Sequence, residues 1–181
     1  MILNERTIRQ ESVLIAAQQI MTAARTAPKG KGADIIEIAT VTGEDIRRLS
    51  DELLVIAEEK DLKFCLRDAD NILQADAIIL IGTRTKVQGL NCAHCGFDTC
   101  DAKPDATPCA INTVDVGIAV GSACATAADL RVDTRVMFSA GLAAQRLQML
   151  GADVGCVMAI PLSVTSKNPF FDRKPKTEKT E

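Results

Sequence analysis

Apolar residues recur at Ile8, Val13, Ile15, Ala16, Ile20 and Ala23, while charge gathers at the start of the segment Asn4 to Arg25. This spacing predicts a helix with one buried face that stops near Ala27-Pro28, because proline cannot continue it. After the basic turn Lys29-Gly30-Lys31-Gly32, the β-branched run Asp34 to Val41 predicts a strand, and Thr42-Gly43-Glu44-Asp45 opens a second helix reaching about Lys60. A short extended piece is expected at Lys63 to Leu66 and a short helix at Ala69 to Gln74. The unbroken apolar run Ala77 to Gly82 then predicts a buried strand. From Gly89 to Pro108 neither periodicity is present, and Gly, Pro, Asp and Cys dominate. Small-residue helices are expected at Ile111 to Asp129 and Thr134 to Leu150, and Val154 to Ile160 supplies a last strand ending at Pro161. The fold class is therefore α+β, with mixed α/β layers and helices packed on a central sheet.

The core must be aliphatic, since 47% of the 181 residues are hydrophobic yet Trp and Tyr are absent. A net charge of −3 offers no positive field for phosphate neutralisation, which argues against a nucleic-acid partner. The opening Met1 to Arg6 has no leader pattern, and no run of roughly 18 continuous apolar residues marks a membrane span. A cytoplasmic location is expected.

Seven cysteines change the picture. The odd number and the missing leader argue against a disulfide framework, leaving thiols or metal ligands. Cys92, Cys95, Cys100 and Cys109 follow the spacing C-x2-C-x4-C-x8-C. Soft thiolates suit both iron–sulfur clusters and zinc. Three ligands crowded together, with the fourth directly after Pro108, depart from the paired knuckles typical of zinc sites and favour iron. Gly96 leaves amides free to approach cluster sulfurs and tune their potential. A zinc-stabilised structural or interaction domain is the alternative use of the same cysteines.

Other residues carry weaker signals. His94 lies between two candidate ligands and has either a metal or proton-transfer role or none. Cys65, Cys124 and Cys156 sit among apolar or small residues and are expected in the core. Asp115 is placed to cap or orient the helix that follows the loop. Phe170 and Phe171 are expected to pin the chain's end, and the small residues around Cys124, from Gly117 to Ala125, suit tight helix packing or a homodimer.

The run Asn91-Cys92-x-x-Cys95-Gly96-Phe97-x-x-Cys100 resembles the 4Fe-4S motif of the large subunit of corrinoid iron–sulfur proteins and related redox subunits. Ala23 to Gly30, the cysteine loop, Ile160 to Ser163 and Lys167 to Arg173 resemble an uncharacterised prokaryotic family containing a ferredoxin domain. That resemblance implies a single ferredoxin-type domain over 1–173 with its cluster loop at 89–109, and the charged, featureless stretch 174–181 is expected to be a disordered tail. That family has no assigned reaction; the cluster reading of the cysteines is what implies electron transfer to a redox partner protein or a small-molecule acceptor. A looser similarity to flavin-dependent nitroreductases implies FMN, with Arg25, Lys29 and Lys31 meeting its phosphate and Lys167 or Arg173 as a second contact. On that reading the chain is an oxidoreductase whose flavin is fed by the cluster.

Overall fold

A computed structural model describes residues 1–171. Helix α1 spans Glu5–Thr26, and Asn4 caps it by accepting the Arg6 N–H on its side-chain oxygen. Strand β1 is Ile36–Val41, helix α2 is Glu44–Lys60 and helix α3 is Lys63–Ile72. Strand β2, Ala77–Arg84, precedes the long cysteine loop, and helix α4, Ala110–Asp129, follows it. Strand β3 is Asp133–Thr134, helix α5 is Phe138–Arg146 and strand β4 is Val154–Ser163.

The strands form one antiparallel sheet in the order β1-β2-β4-β3. Central β2 is buried from Ala77 to Thr83, as its unbroken apolar run requires. Its side chains alternate between two apolar clusters. Ile78 and Leu80 join the cluster built by α2, α3 and α5, whereas Ala77, Ile79 and Ile81 join that of α1 and α4. The sheet is thus sandwiched between helical layers, in agreement with the α+β expectation.

Two expectations fail at element boundaries. Lys63 to Leu66 is the start of α3 and not an extended piece. Cys65, Ala69 and Ile72 recur at helical spacing and are fully or almost fully buried, and Ser50 of α2 donates to the Ala69 carbonyl. The late helix does not begin at Thr134, because Thr134 pairs with Leu162 and Met137 bonds Ala159 in both directions. Helix formation starts only when β4 releases the chain at Phe138. It ends early, with Gln148 in the left-handed region at φ 52°.

Glycine permits close approach where α5 meets β4. A Cβ at Gly141 would stand 2.0 Å from the Val157 carbonyl oxygen and 2.9 Å from Met158 Cα. Gly82 does the same for β2, where a Cβ would meet Val154 and Val157 methyl groups at 2.7 and 2.9 Å. Beside Gly82 the β2–β4 register shifts between Ile81 and Thr83, forming a bulge on which Cys156 has a left-handed φ of 51°. Helix α4 is long and apolar enough by composition to cross a bilayer, and here it lays Val116, Ala119, Ala123 and Ala127 into the core.

Candidate metal centre and its roots

The cysteine loop leaves the end of β2 and returns as the first residue of α4. Neither apolar cluster takes a buried residue from the stretch between Ile81 and Val116. The interior is held by short-range bonds. Gly96 N–H donates to Ala93, Lys103 N–H to Cys100, and Cys100 N–H to the Asn91 side-chain oxygen at 2.8 Å. Asn91, Ala93 and Gly96 all adopt positive φ, at 48°, 57° and 88°. Of these, only Gly96 does so without the cost of a side chain. The Lys103 ammonium, buried, donates to the Pro104 and Thr107 carbonyls and ties down the loop's second half.

Cys92, Cys95 and Cys100 are half-buried free thiols, and Cys109 is buried at the N-cap of α4. Among the described residues no three Cys, His, Asp or Glu side chains are gathered closely enough to hold a metal ion. The four thiols are therefore strung along the loop, and enclosing one centre requires that turn-rich segment to contract. The donor set nevertheless suits a cluster: the four ligands are soft, and Gln88, buried at the loop's start, carries an Nε2 with no acceptor. A cluster sulfur is an acceptor of the type that such an N–H lacks. His94 is exposed, its ring nitrogen 2.7 Å from the Cys92 carbonyl oxygen.

The loop's roots are rigid. Asn112, in the first turn of α4, donates through Nδ2 to the Arg84 and Lys86 carbonyls at 3.2 and 2.7 Å, clamping the strand's exit to the helix's start. Asp115 accepts the Gly30 N–H on both carboxylate oxygens at 2.9 and 3.1 Å. A Cβ at Gly30 would lie 2.7 Å from an Ile111 methyl, so glycine is what lets the basic turn reach α4. Asp115 thus orients the helix by holding a neighbouring turn and does not cap it. Sequence reading did not single out Asn112; its one signal is an amide in the first turn of a helix rich in small and apolar residues.

The cations named for a flavin phosphate all have partners within the chain. Arg25 donates to Asp34 and to the Ile36 carbonyl, both at 2.6 Å. The Lys29 ammonium caps α1 by donating to the Ala24, Arg25 and Ala27 carbonyls, and burial pushes its pKa below the usual lysine range. Lys31 reaches the Gln88 carbonyl at 3.1 Å, linking the basic turn to the cysteine loop. Lys167 is among the described residues, whereas Arg173 and the segment 174–181 lie outside them.

The remaining cysteines divide. Cys65 is fully buried, while Cys124 and Cys156 are only half-buried, each on the margin of the α1/α4 cluster. Burial pushes all three thiols above their ordinary pKa. Phe170 is fully buried, its carbonyl accepting from Asn71 and Arg135, which pins the segment as expected. Phe171 stays exposed, under the Arg135 guanidinium.

The fold is that of the nitroreductases. A nitroreductase with bound FMN from Desulfitobacterium hafniense DCB-2 superposes with a TM-score of 0.59, at 18% identity over 92% of this chain and 86% of that one. A nitroreductase with bound FMN from Bacteroides fragilis NCTC 9343 gives a TM-score of 0.60, at 12% identity over 92% and 84% of the respective chains. At these identities the likeness concerns the fold. In sequence, an uncharacterised protein of Archaeoglobus fulgidus is 43% identical over 97% of this chain and 100% of its own length. Residues 105–173 match the model of a family described as "uncharacterized protein containing a ferredoxin domain", a segment that takes in Cys109 and begins after Cys100. Taken with the end-to-end match to its archaeal relative, this places the chain in that family of ferredoxin-domain proteins.

Proposed function

We propose that the chain is an iron–sulfur redox protein whose 4Fe-4S cluster is held by Cys92, Cys95, Cys100 and Cys109. The observation that carries this reading is a loop that contributes four thiols and almost nothing to the apolar core, yet is clamped at both ends to the most buried strand and to the long helix. Such a segment needs an organiser other than hydrophobic burial, and a thiolate-bound centre is one.

When bound, a cluster supplies one-electron chemistry. The chain's own part is to hold and tune it. Gln88 Nε2 is the buried side-chain donor without a protein acceptor that a cluster sulfur could take up, and the half-buried setting of Cys92, Cys95 and Cys100 leaves a route for electrons to an external redox protein or small acceptor. The net charge of −3 and the cation-poor loop favour such a partner over nucleic acid.

A second reading, a flavin oxidoreductase fed by the cluster, is favoured by the fold itself, since the D. hafniense and B. fragilis nitroreductases are described with bound FMN. Arg25, Lys29 and Lys31 would have to give up protein partners to meet a phosphate, so an FMN site would draw on other groups.

Anaerobic purification, followed by quantification of iron, zinc, acid-labile sulfide and flavin with a visible spectrum of the same sample, tests these readings. The cluster reading expects about four irons and four sulfides per chain. One zinc without sulfide would overturn it in favour of a structural metal domain. Resolved flavin bands beside the cluster's broad absorption would select the enzyme.

A further inference from the structure

The two faces of the sheet carry helical layers of opposite character. More than half of the residues of α2 are charged. In the other layer, α1 has no charged side chain from Ser12 to Ala24. Nor has α4 from Ala110 to Ala128, apart from Asp115, which is 2% exposed and bound to the Gly30 N–H. What this layer turns outward is apolar: Ile15 is 56% exposed, Val114 54% and Ile118 40%. The solvent side of a surface helix is ordinarily polar and charged, so these two helices present an apolar face that nothing in the chain covers.

A second feature lies at the middle of that face. Gly117 and Gly121 stand one turn apart on the exposed side of α4, where an added Cβ would have no atom within 4 Å. Glycine inside a helix is less stable than alanine there. At Gly141 and Gly82 a close contact within the chain requires it, whereas at Gly117 and Gly121 none does. What two such glycines permit is the close approach of a helix from outside the chain.

We propose that the α1/α4 layer is the interface of a homodimer in which α4 crosses its own copy at Gly117 and Gly121. Val114 and Ile118 pack against the partner helix, and Ile15 extends the contact onto α1. Charge and size both select a second copy. An uncharged face is complementary to itself, so a two-fold contact sets no like charges in opposition. Helices of 22 and 20 residues are about 30 Å long and side by side about 20 Å wide, which gives on the order of 600 Å² per copy and about 1,200 Å² per pair, the lower end for a specific, stable interface. A lipid surface is disfavoured, because helices that lie on one carry Lys and Arg beside the apolar face, and these two stretches have none. The dimer does not depend on a cluster.

The test is sedimentation equilibrium of the full chain, purified anaerobically and held in reducing buffer so that no disulfide links the copies. Twice the 19.3 kDa mass of one chain is expected at about 50 μM, above the weak end of affinities for interfaces near this size. Gly117→Ala combined with Gly121→Ala fills open space in the single chain and favours the helix. This double variant should keep the parent's circular dichroism spectrum while its dimer dissociates at least tenfold more readily. Ile118→Glu should weaken the dimer at least as much, by placing an unpaired carboxylate in the contact. Leu54→Glu, on the exposed side of α2 in the opposite layer, should leave the mass unchanged. A mass of 19.3 kDa throughout would overturn the proposal, and sedimentation of that monomer with phosphatidylcholine vesicles would assign the face to lipid instead. A dimer that either α4 variant leaves intact, or that Leu54→Glu dissociates, would overturn it as well.

Discussion

Replacing Cys109 with serine separates a metal ligand from a helix cap. Cys109 is the N-cap of α4, with the extended backbone that position requires, φ −70° and ψ 124°, and no side-chain capping bond. A serine hydroxyl there can accept from the Ile111 or Asn112 N–H, the N2 and N3 positions of the helix, which sulfur does poorly. Good caps contribute about 1 kcal/mol, and for a domain of this length that raises the melting temperature by roughly 2–4 °C. In reduced, chelator-treated protein, Cys109→Ser should therefore be the more stable form.

The sign reverses where a cluster is bound. A serine at the fourth ligand weakens or converts the centre, so the anaerobically purified variant should carry less iron and sulfide than the parent, show an altered visible absorption, and lose whatever stability metal binding adds. Circular dichroism melts of both preparations, with metal analysis alongside, read the two effects separately. Full iron and sulfide with an unchanged spectrum would refute the ligand role, and a metal-free variant melting below the parent would refute the cap.

The remaining expectations concern the scaffold. Gly141→Ala puts a methyl 2.0 Å from the Val157 carbonyl oxygen, where backbone cannot yield cheaply; a cost of about 3 kcal/mol is expected, and a melt within about a degree of the parent would contradict the α5–β4 contact. Asp115→Ala leaves the Gly30 N–H without its acceptor and should cost about 1–3 kcal/mol by urea denaturation, with Asp115→Asn recovering part of it. Burial raises the Cys65, Cys124 and Cys156 thiols above their ordinary pKa of 9.0, so the unfolded chain releases these protons first. Stability should be insensitive to them below about pH 9 and fall above it, more steeply in the parent than in Cys65→Ala when urea midpoints at alkaline pH are compared. Removing metal should open the loop between Gly89 and Pro108 to proteolysis while the unfolding of the rest stays cooperative, because no core residue lies within it; cleavage spreading into β2 or α4 would show that the roots also depend on the centre.

What was legible in the sequence depended on how locally each feature is encoded. The run at β2, the start signal of α2 and the aperiodic cysteine loop declare themselves within a few residues. The start of α5 does not, because the Met137 bridge to Ala159 is a long-range contact that a helical pattern from Thr134 cannot reveal. Lys63 to Leu66 misleads for a related reason: an apolar triplet suits either period until Ala69 and Ile72 are seen to continue it. The basic turn is the instructive case at the site. Its charge density suggests an anion, yet Lys29 is a helix cap and Lys31 a tether. Composition reports that cations are present, and only geometry reports which carbonyls already hold them.

The clamp at Asn112 connects these parts. One side chain fastens the exit of β2 to the start of α4 through Nδ2. The loop can therefore rearrange around a centre without moving the sheet, since displacement of Cys92, Cys95 or Cys100 strains only short turns. Movement of Cys109 is different in kind, because it pulls on the first turn of a 20-residue helix whose inner face is core. On the proposed reading, electron transfer favours a site that changes little between oxidation states, and Cys109, fixed to a buried helix end, would supply that rigidity while the other three cysteines adapt. Replacing Cys92, Cys95 or Cys100 should then change the metal and spare the fold, whereas at Cys109 the change in metal is accompanied by a change at the cap of α4, which the chelator-treated protein reads separately.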